Sequence, residues 1–324
     1  MVVEVLKIIG GAPGYGYSPG PQKLMCRVLE APGSLTEEDH KRPIEGRYLF
    51  LKIFDPLFWH KVVCITQRSV KITTQADSAF SDEFGVYSHL YRHHLTGFSG
   101  AEFAPVAPEF FGGWTTTVTS GHDAFANQTR KVAVLALEYI EGVRLQQLFR
   151  RAGPTRQTVT LYEDNTDGPP ASFRTDQAQR MQIMAQVMNG TVEQEFNGVD
   201  HCDLHPKNII ITMRNMGQAL EKPRAVLVSY SRAIVDSLRT EPAKMWRHFP
   251  KKPHPIVRFG WHRLVCFEGW VPLEWRGPEH DIDDCVELDR WMLDTFGTIG
   301  RRNPEYTTFV RNLPSRSPES DRAS

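Results

Sequence analysis

The sequence predicts an α+β protein made of two lobes, and three observations support this prediction. The chain has 324 residues, which exceeds the commonest size of a single hydrophobic core. Runs rich in β-branched residues, typical of strands, are concentrated before about residue 140. Beyond them the chain shows helical periodicity, and five of its seven tryptophans lie between 242 and 300. We therefore expect an antiparallel-sheet lobe followed by a mainly helical lobe.

Composition and charge narrow the class of protein. Hydrophobic residues make up 40% and charged residues 23% of the chain, as in ordinary globular proteins. Lys+Arg and Asp+Glu both number 38, and the formal net charge of zero argues against a broad nucleic-acid-binding surface. No run of about 18 apolar residues occurs, so no membrane span is predicted. The five scattered cysteines contain no C-x-x-C pair, which is typical of a reduced cytoplasmic protein without structural zinc.

The first lobe is predicted to begin with strands at 2–9 and 23–30, joined by a glycine- and proline-rich loop at 10–20. Glycines allow a backbone to approach phosphates and to point N–H groups at them. The loop lacks the G-x-G-x-x-G spacing, and its prolines carry no N–H donor. It is therefore either a cover over phosphates or a plain hairpin loop.

The next two predicted elements carry candidate charged residues. A strand is predicted at 47–54, and its alternation places Lys52 on one face together with Phe50. A helix is predicted at 78–90 from apolar residues at helical spacing. This helix carries two neighbouring acids, one of which is Glu83.

A hairpin completes the first lobe. Its strands are predicted at 110–119 and 131–139, and the second is apolar in its middle, as expected of a central strand. We place the domain boundary just after it, which gives an N-terminal lobe at 1–141 and a C-terminal lobe at 142–312. The polar residues 313–324 are predicted to form a disordered tail.

The second lobe begins with a predicted short amphipathic helix at 143–151 and continues with a long helix at about 175–197. The octet His-Cys-Asp-Leu-His-Pro-Lys-Asn follows at 201–208, directly before three isoleucines. A carboxylate at Asp203 suits deprotonation of a hydroxyl group, and an amide oxygen at Asn208 suits a metal ion on nucleotide phosphates. A loop in which these two side chains only cap turns is the structural alternative.

The octet resembles the catalytic loop of the protein kinase-like superfamily, and most closely the H-x-D-L-H-P-x-N loop of the branch containing aminoglycoside and choline kinases. The resemblance implies a two-lobed protein kinase-like fold with an antiparallel-sheet N-lobe and a mainly helical C-lobe. It also implies transfer of phosphate from ATP, held with Mg²⁺, to a hydroxyl group of a small molecule or a protein. Asp203 would be the base, His201 would brace the loop, and His205 would lie near the phosphates or cap the turn.

The resemblance also assigns roles in the first lobe. Lys52 would contact the α- and β-phosphates of ATP and would pair with Glu83, for which Asp82 is the competitor. A solvent-exposed lysine on a strand edge and a surface acid are the alternatives. The hinge between the lobes, where the backbone binds adenine in the family, is matched by Glu138, Tyr139 and Ile140.

The chain departs from the family at the second metal ligand. The strand after the catalytic loop should end in an aspartate, and Ser229 stands in its place. A serine hydroxyl brings no charge and binds a hard cation more weakly than a carboxylate, so Mg²⁺ would bridge the phosphates less well. In one interpretation Asp236 supplies the missing carboxylate. In a second interpretation Asn208 and a substrate-held metal support a slow reaction. In the third interpretation the chain is a pseudokinase that serves as a binding or scaffold module.

Overall fold

The structure is a computed structural model that describes residues 1–11, 20–31, 43–59, 71–101, 103–119, 127–161, 171–238, 250–279, 281–282, 284–299 and 303–307. Over these residues the protein is a mixed α+β structure with antiparallel sheets and several helices. Most of the glycine- and proline-rich loop and the whole predicted tail at 313–324 lie outside the described residues. Among the helices that the structure describes, none is both long and apolar enough to cross a bilayer.

The first part of the chain forms a five-stranded antiparallel sheet. Its strands are β1 (Val2–Gly10), β2 (Gln22–Glu30), β3 (Tyr48–Phe54), β4 (Phe110–Thr119) and β5 (Thr129–Glu138). They lie in the order β1-β2-β3-β5-β4, so β1 and β4 form the edges. The predicted strands of this region are confirmed, with boundaries that differ by two residues at most. Among the described strands, β1 is hydrogen-bonded only to β2, and the register between them shifts at three places.

One helix, α1 (Ile72–Arg92), packs against this sheet and begins earlier than predicted. Its apolar positions recur at helical spacing, and Val86, Tyr87 and Leu90 are buried in the main core. Close approach to the sheet requires a glycine in β4, because a Cβ atom at Gly113 would lie 2.6 Å from the ring of Phe84. The helix therefore presents one side to the sheet, and its charged residues on that side must find partners there.

The second part contains helices and many short strands. The helices are α2 (Gln177–Phe196), α3 (Pro255–Arg258), α4 (Trp261–Leu264) and α5 (Val286–Phe296). The strands are β6 (Val143–Arg144), β7 (Phe149–Arg150), β8 (Gly153–Pro154), β9 (Thr158–Leu161), β10 (Ala171–Arg174), β11 (Val199–Asp200), β12 (Ile209–Asn215), β13 (Gln218–Leu227), β14 (Ile234–Val235), β15 (Lys252–Pro253) and β16 (Tyr306–Thr307). Three of them form the sheet β13-β12-β6, and the others pair in twos. The long predicted helix is confirmed as α2.

Two expectations for this part need correction. The predicted helix at 143–151 is wrong, because β6 pairs with β12 and a 3₁₀ turn and β7 follow it. Tertiary strand pairing here overrides helical propensity. The described residues after 141 are also less helical than predicted. Prolines at 253, 255 and 272 carry no N–H donor, and the aromatic region forms short helices between them.

A single large core joins both parts of the chain. It contains the inner face of the five-stranded sheet, the apolar faces of α1 and α2, and aromatic residues of the C-terminal helices such as Trp261 and Trp270. A smaller cluster covers the opposite face of the sheet, around Cys26, Leu49 and Leu51. The two sheets thus have fixed positions, which defines the space between them.

Candidate functional site

A cavity of about 680 Å³ lies between the five-stranded sheet and the three-stranded sheet. Residues of β1, β2 and β3 line one side, and residues of the octet, β6 and β12 line the other. Six predicted site residues line this cavity, namely Lys52, Glu138, Tyr139, Ile140, Asn208 and Ser229. Segments that are far apart in the sequence therefore meet at one place.

Lys52 and Glu83 form a buried ion pair on the sheet side of the cavity. The Nζ atom of Lys52 donates to Oε1 of Glu83, and the two residues are only 6% and 1% exposed. Asp82, the competing acid, is exposed. The predicted pairing of Lys52 with Glu83 is thus confirmed, and a solvent-exposed lysine is excluded. Contact of Lys52 with phosphates remains a prediction.

His201 anchors the octet from a buried position. Burial lowers the pKa of its imidazole, although the hydrogen bond to Val228 opposes this shift. The neutral ring then has one N–H, and the geometry places it on Nε2, which donates to the carbonyl of Val228 at 3.0 Å. Nδ1 accepts from the backbone N–H of Asp203 at 3.3 Å. The histidine therefore holds the octet against the strand β13 that leads to Ser229.

Asp203 and Asn208 are in direct contact. Nδ2 of Asn208 donates to the backbone carbonyl of Asp203 at 2.8 Å and to its Oδ2 atom at 2.9 Å. Nζ of Lys207 lies 3.2 Å from the same oxygen. Burial raises the pKa of Asp203, but the hydrogen bonds from Asn208 and Lys207 and the charges of Lys207 and Arg232 outweigh it and lower the pKa overall. The carboxylate is thus held ionised.

His205 caps the turn, which was one of its two predicted roles. Its Nδ1 atom accepts from the backbone N–H of Lys207 at 3.1 Å at the start of a 3₁₀ turn. His205 is not among the described residues that line the cavity. The hydrogen bond observed for His205 therefore stabilises the turn locally.

Ser229 occupies a left-handed backbone conformation, with φ 70° and ψ 56°, at the end of β13. It lines the cavity next to Val228, whose N–H donates to the carbonyl of Asn208 at 2.8 Å. Asp236 is buried, and its backbone N–H donates to the carbonyl of Gly198 at 2.9 Å. Asp236 is not among the described cavity-lining residues, so no carboxylate is seen to replace the one missing at Ser229.

The donor groups do not fit a Mg²⁺ ion held by the protein. The carboxylate of the octet, Asp203, already accepts from Asn208 and Lys207. The remaining groups are the neutral amide oxygen of Asn208 and the neutral hydroxyl of Ser229. The described residues contain no group of three or more His, Cys, Asp or Glu side chains arranged to hold a metal. Mg²⁺ sites ordinarily include at least one carboxylate ligand.

A second buried ion pair lies at the predicted hinge, and its basic partner was not found from the sequence. Arg224 of β13 donates to Glu138 at 2.7 and 3.1 Å, and the N–H of Glu109 donates to the same carboxylate at 3.0 Å. The side chain of Glu138 is therefore occupied, so any ligand contact would come from backbone atoms of the hinge. Gly142 then passes directly over the carbonyl of Ile211, where a Cβ atom would clash.

Four further basic residues beside the cavity were not assigned from the sequence, namely Lys7, Lys23, Arg144 and Lys207. Alternation in β2 gives a signal for Lys23, because it stands opposite Lys52 once the two strands pair. The position of Arg144 had no signal, since the segment was predicted to be helical.

Comparison with known proteins adds no further assignment. No model of a known protein family matches this sequence. A search of curated proteins gives no match either.

Proposed function

We propose that this chain is a kinase-like nucleotide-binding protein that transfers phosphate from ATP to a hydroxyl group at a reduced rate. The observation that carries this proposal is that Lys52, which is paired with Glu83, and Asn208, which is bonded to Asp203, line the same cavity. The proposal includes a two-lobed kinase-like fold, supported by the strand order β1-β2-β3-β5-β4 with a single helix between β3 and β4.

Each residue has a role in the proposed reaction. Lys52 contacts the phosphates, and backbone atoms at Tyr139 and Ile140 contact the adenine. Asp203 accepts the proton of the acceptor hydroxyl. The hydroxyl oxygen then forms a bond to the γ-phosphorus of ATP, and the bond between that phosphorus and the bridging oxygen of the β-phosphate breaks, which releases ADP. A positioned general base typically contributes roughly 10²–10⁴ in rate. The rate is reduced because the neutral Ser229 contributes no charge at the phosphates.

A pseudokinase is the second candidate function, and the contacts of Asp203 favour it. The carboxylate is shared by Lys207 and Asn208, and the acid expected at Ser229 is absent. In this alternative the cavity binds nucleotide, and the protein acts as a binding or scaffold module. Both candidates are placed in the cytoplasm, in keeping with the absence of disulfide bonds among the four described cysteines.

Thermal unfolding with ATP, with and without Mg²⁺, tests both candidates. A ligand at 100 times its Kd stabilises the folded state by about 2.7 kcal/mol, so we expect a clear rise in Tm. No rise under either condition would remove every nucleotide-based function.

The Ser229→Asp variant separates enzyme from pseudokinase. Aspartate tolerates left-handed backbone, so the substitution adds little strain. We expect ATP turnover with Mg²⁺ to rise above that of the unmodified protein and to disappear in the Ser229→Asp, Asp203→Asn double variant. Turnover in neither the unmodified protein nor Ser229→Asp would leave the pseudokinase as the function.

A further inference from the structure

The cavity carries an unusual pair of lysines on neighbouring strands. Lys23 of β2 stands directly opposite Lys52 of β3, and both line the cavity. Directly opposed residues on antiparallel strands have Cβ atoms about 4.5–5.5 Å apart, and like charges in this arrangement destabilise a sheet. A further basic residue, Arg144, lines the same cavity from β6. The arrangement needs a compensating negative charge.

The protein supplies only part of that charge. Glu83 neutralises Lys52, and Lys207 is paired with Asp203. Glu138, the one acid among the described cavity-lining residues, is neutralised by Arg224. Within the described part of the chain, no carboxylate forms an ion pair with Lys23 or Arg144. Two cations therefore face the cavity without an anionic partner.

The half-buried position of Lys23 strengthens this argument. Burial lowers the pKa of its ammonium group, and the charges of Lys52 and Arg144 lower it further, against the opposing effect of Glu83. An anion placed between these cations would favour the charged form of Lys23. Such an anion would gain charge-assisted hydrogen bonds from donors that are already in place.

The opposite side of the cavity lacks the negative charge that a metal site would have. Ser229 provides no carboxylate to hold a divalent cation, whereas Lys23 provides a fixed positive charge within the protein. A triphosphate needs several positive charges in either case. Fixed ammonium and guanidinium groups supply them without a metal ion.

We propose that Lys23, together with Lys52 and Arg144, binds the phosphates of a nucleoside polyphosphate directly, so that nucleotide binding needs no divalent cation. This inference rests on the proposed nucleotide-binding function. It adds the identity of the phosphate-binding groups and the metal-free form of the ligand.

The test compares ATP binding to the full chain in EDTA and in Mg²⁺ by titration calorimetry, with adenosine as a ligand that lacks phosphates. We expect the Kd for ATP to differ by less than about threefold between the two conditions, a difference worth under 1 kcal/mol. Lys23→Met should weaken ATP binding in EDTA by roughly 10- to 100-fold, the usual effect of losing a hydrogen bond to a charged group. Adenosine binding should not change.

Matched variants separate charge from shape and from folding. Lys23→Arg should retain most of the ATP affinity, and Lys131→Met, at an exposed position of β5 in the same sheet, should retain all of it. Lys23→Gln serves as a second neutral variant if Lys23→Met fails to give the native circular dichroism spectrum. ATP binding that strictly requires Mg²⁺, or that is unchanged in the neutral variants, overturns the inference but leaves the nucleotide-binding function standing. Failure of both ATP and adenosine to bind the unmodified protein overturns the nucleotide-binding function itself.

Discussion

Two buried ion pairs each have one residue that lines the same cavity, and they differ in how many hydrogen bonds their carboxylates already accept within the protein. Glu138 accepts two hydrogen bonds from Arg224 and a third from the N–H of Glu109. Glu83 receives a single bond from Lys52, and that lysine also lines the cavity. An ion pair with every carboxylate oxygen engaged serves the structure. A pair whose cation still borders a cavity has donors left for a ligand.

The difference also concerns what each pair connects. Glu138 and Arg224 belong to β5 and β13, so their bond joins the five-stranded sheet to the three-stranded sheet. Lys52 and Glu83 belong to β3 and α1, so their bond stays within the first part of the chain. We therefore expect the first pair to control stability and the second to control binding.

The largest effect is expected from Arg224→Met. Removing one member of a buried ion pair leaves a charge without a partner and typically costs about 3–5 kcal/mol. Urea unfolding should show this loss, with Lys222→Met at an exposed position of the same strand as control, changed by less than about 0.5 kcal/mol. Equal stability of the two variants would mean that the Arg224–Glu138 pair does not have the structural role argued above.

Lys52→Met should have a smaller effect on stability and a larger one on binding. Glu83 is left buried without its partner but only one hydrogen bond is lost, so we expect unfolding to become easier by about 3 kcal/mol, the lower end of the range for buried ion pairs. The rise of Tm with ATP should disappear. Retention of that rise would contradict a phosphate-binding role for Lys52, and the Lys52–Glu83 pair would then have only a structural role.

The double variant Lys52→Met, Glu83→Gln sharpens the distinction between the two roles. Replacing the orphaned carboxylate with a neutral amide should recover about 1 kcal/mol of stability relative to Lys52→Met alone. ATP binding should not return, since the cation is still missing. Recovery of binding together with stability would show that Lys52 acts only by keeping the protein folded.

The smallest expected effect is a dependence of stability on pH, and it comes from two buried neutral histidines instead of from the ion pairs. Burial lowers the pKa of His201 and of His254, so the unfolded chain takes up protons first as the pH falls below about 6.5. The free energy of unfolding should therefore decrease as the pH falls from 7.5 to 5.5. Urea midpoints of His254→Gln should show a weaker decrease, and an unchanged pH dependence would exclude His254 as a contributor.

Local pattern was sufficient for the five strands of the first sheet and for α1 and α2, because alternation and helical spacing survive in the folded protein. The family resemblance was sufficient to pair Lys52 with Glu83. The Arg224–Glu138 bond was beyond reach, because it joins residues 86 positions apart and depends on how two sheets face each other. The segment at 143–151 was predicted wrongly for a related reason, since its conformation is set by pairing with β12.

The edge position of β1 has a consequence for dynamics. Lys7, Ile8 and Ile9 line the cavity, yet their strand is hydrogen-bonded to one neighbour with an irregular register. Strands with few protecting contacts open at low free energy and exchange their amide hydrogens early. A ligand in the cavity would contact this strand directly and hold it in place. Slower hydrogen exchange in β1 would then report occupancy of the cavity, whatever ligand is bound.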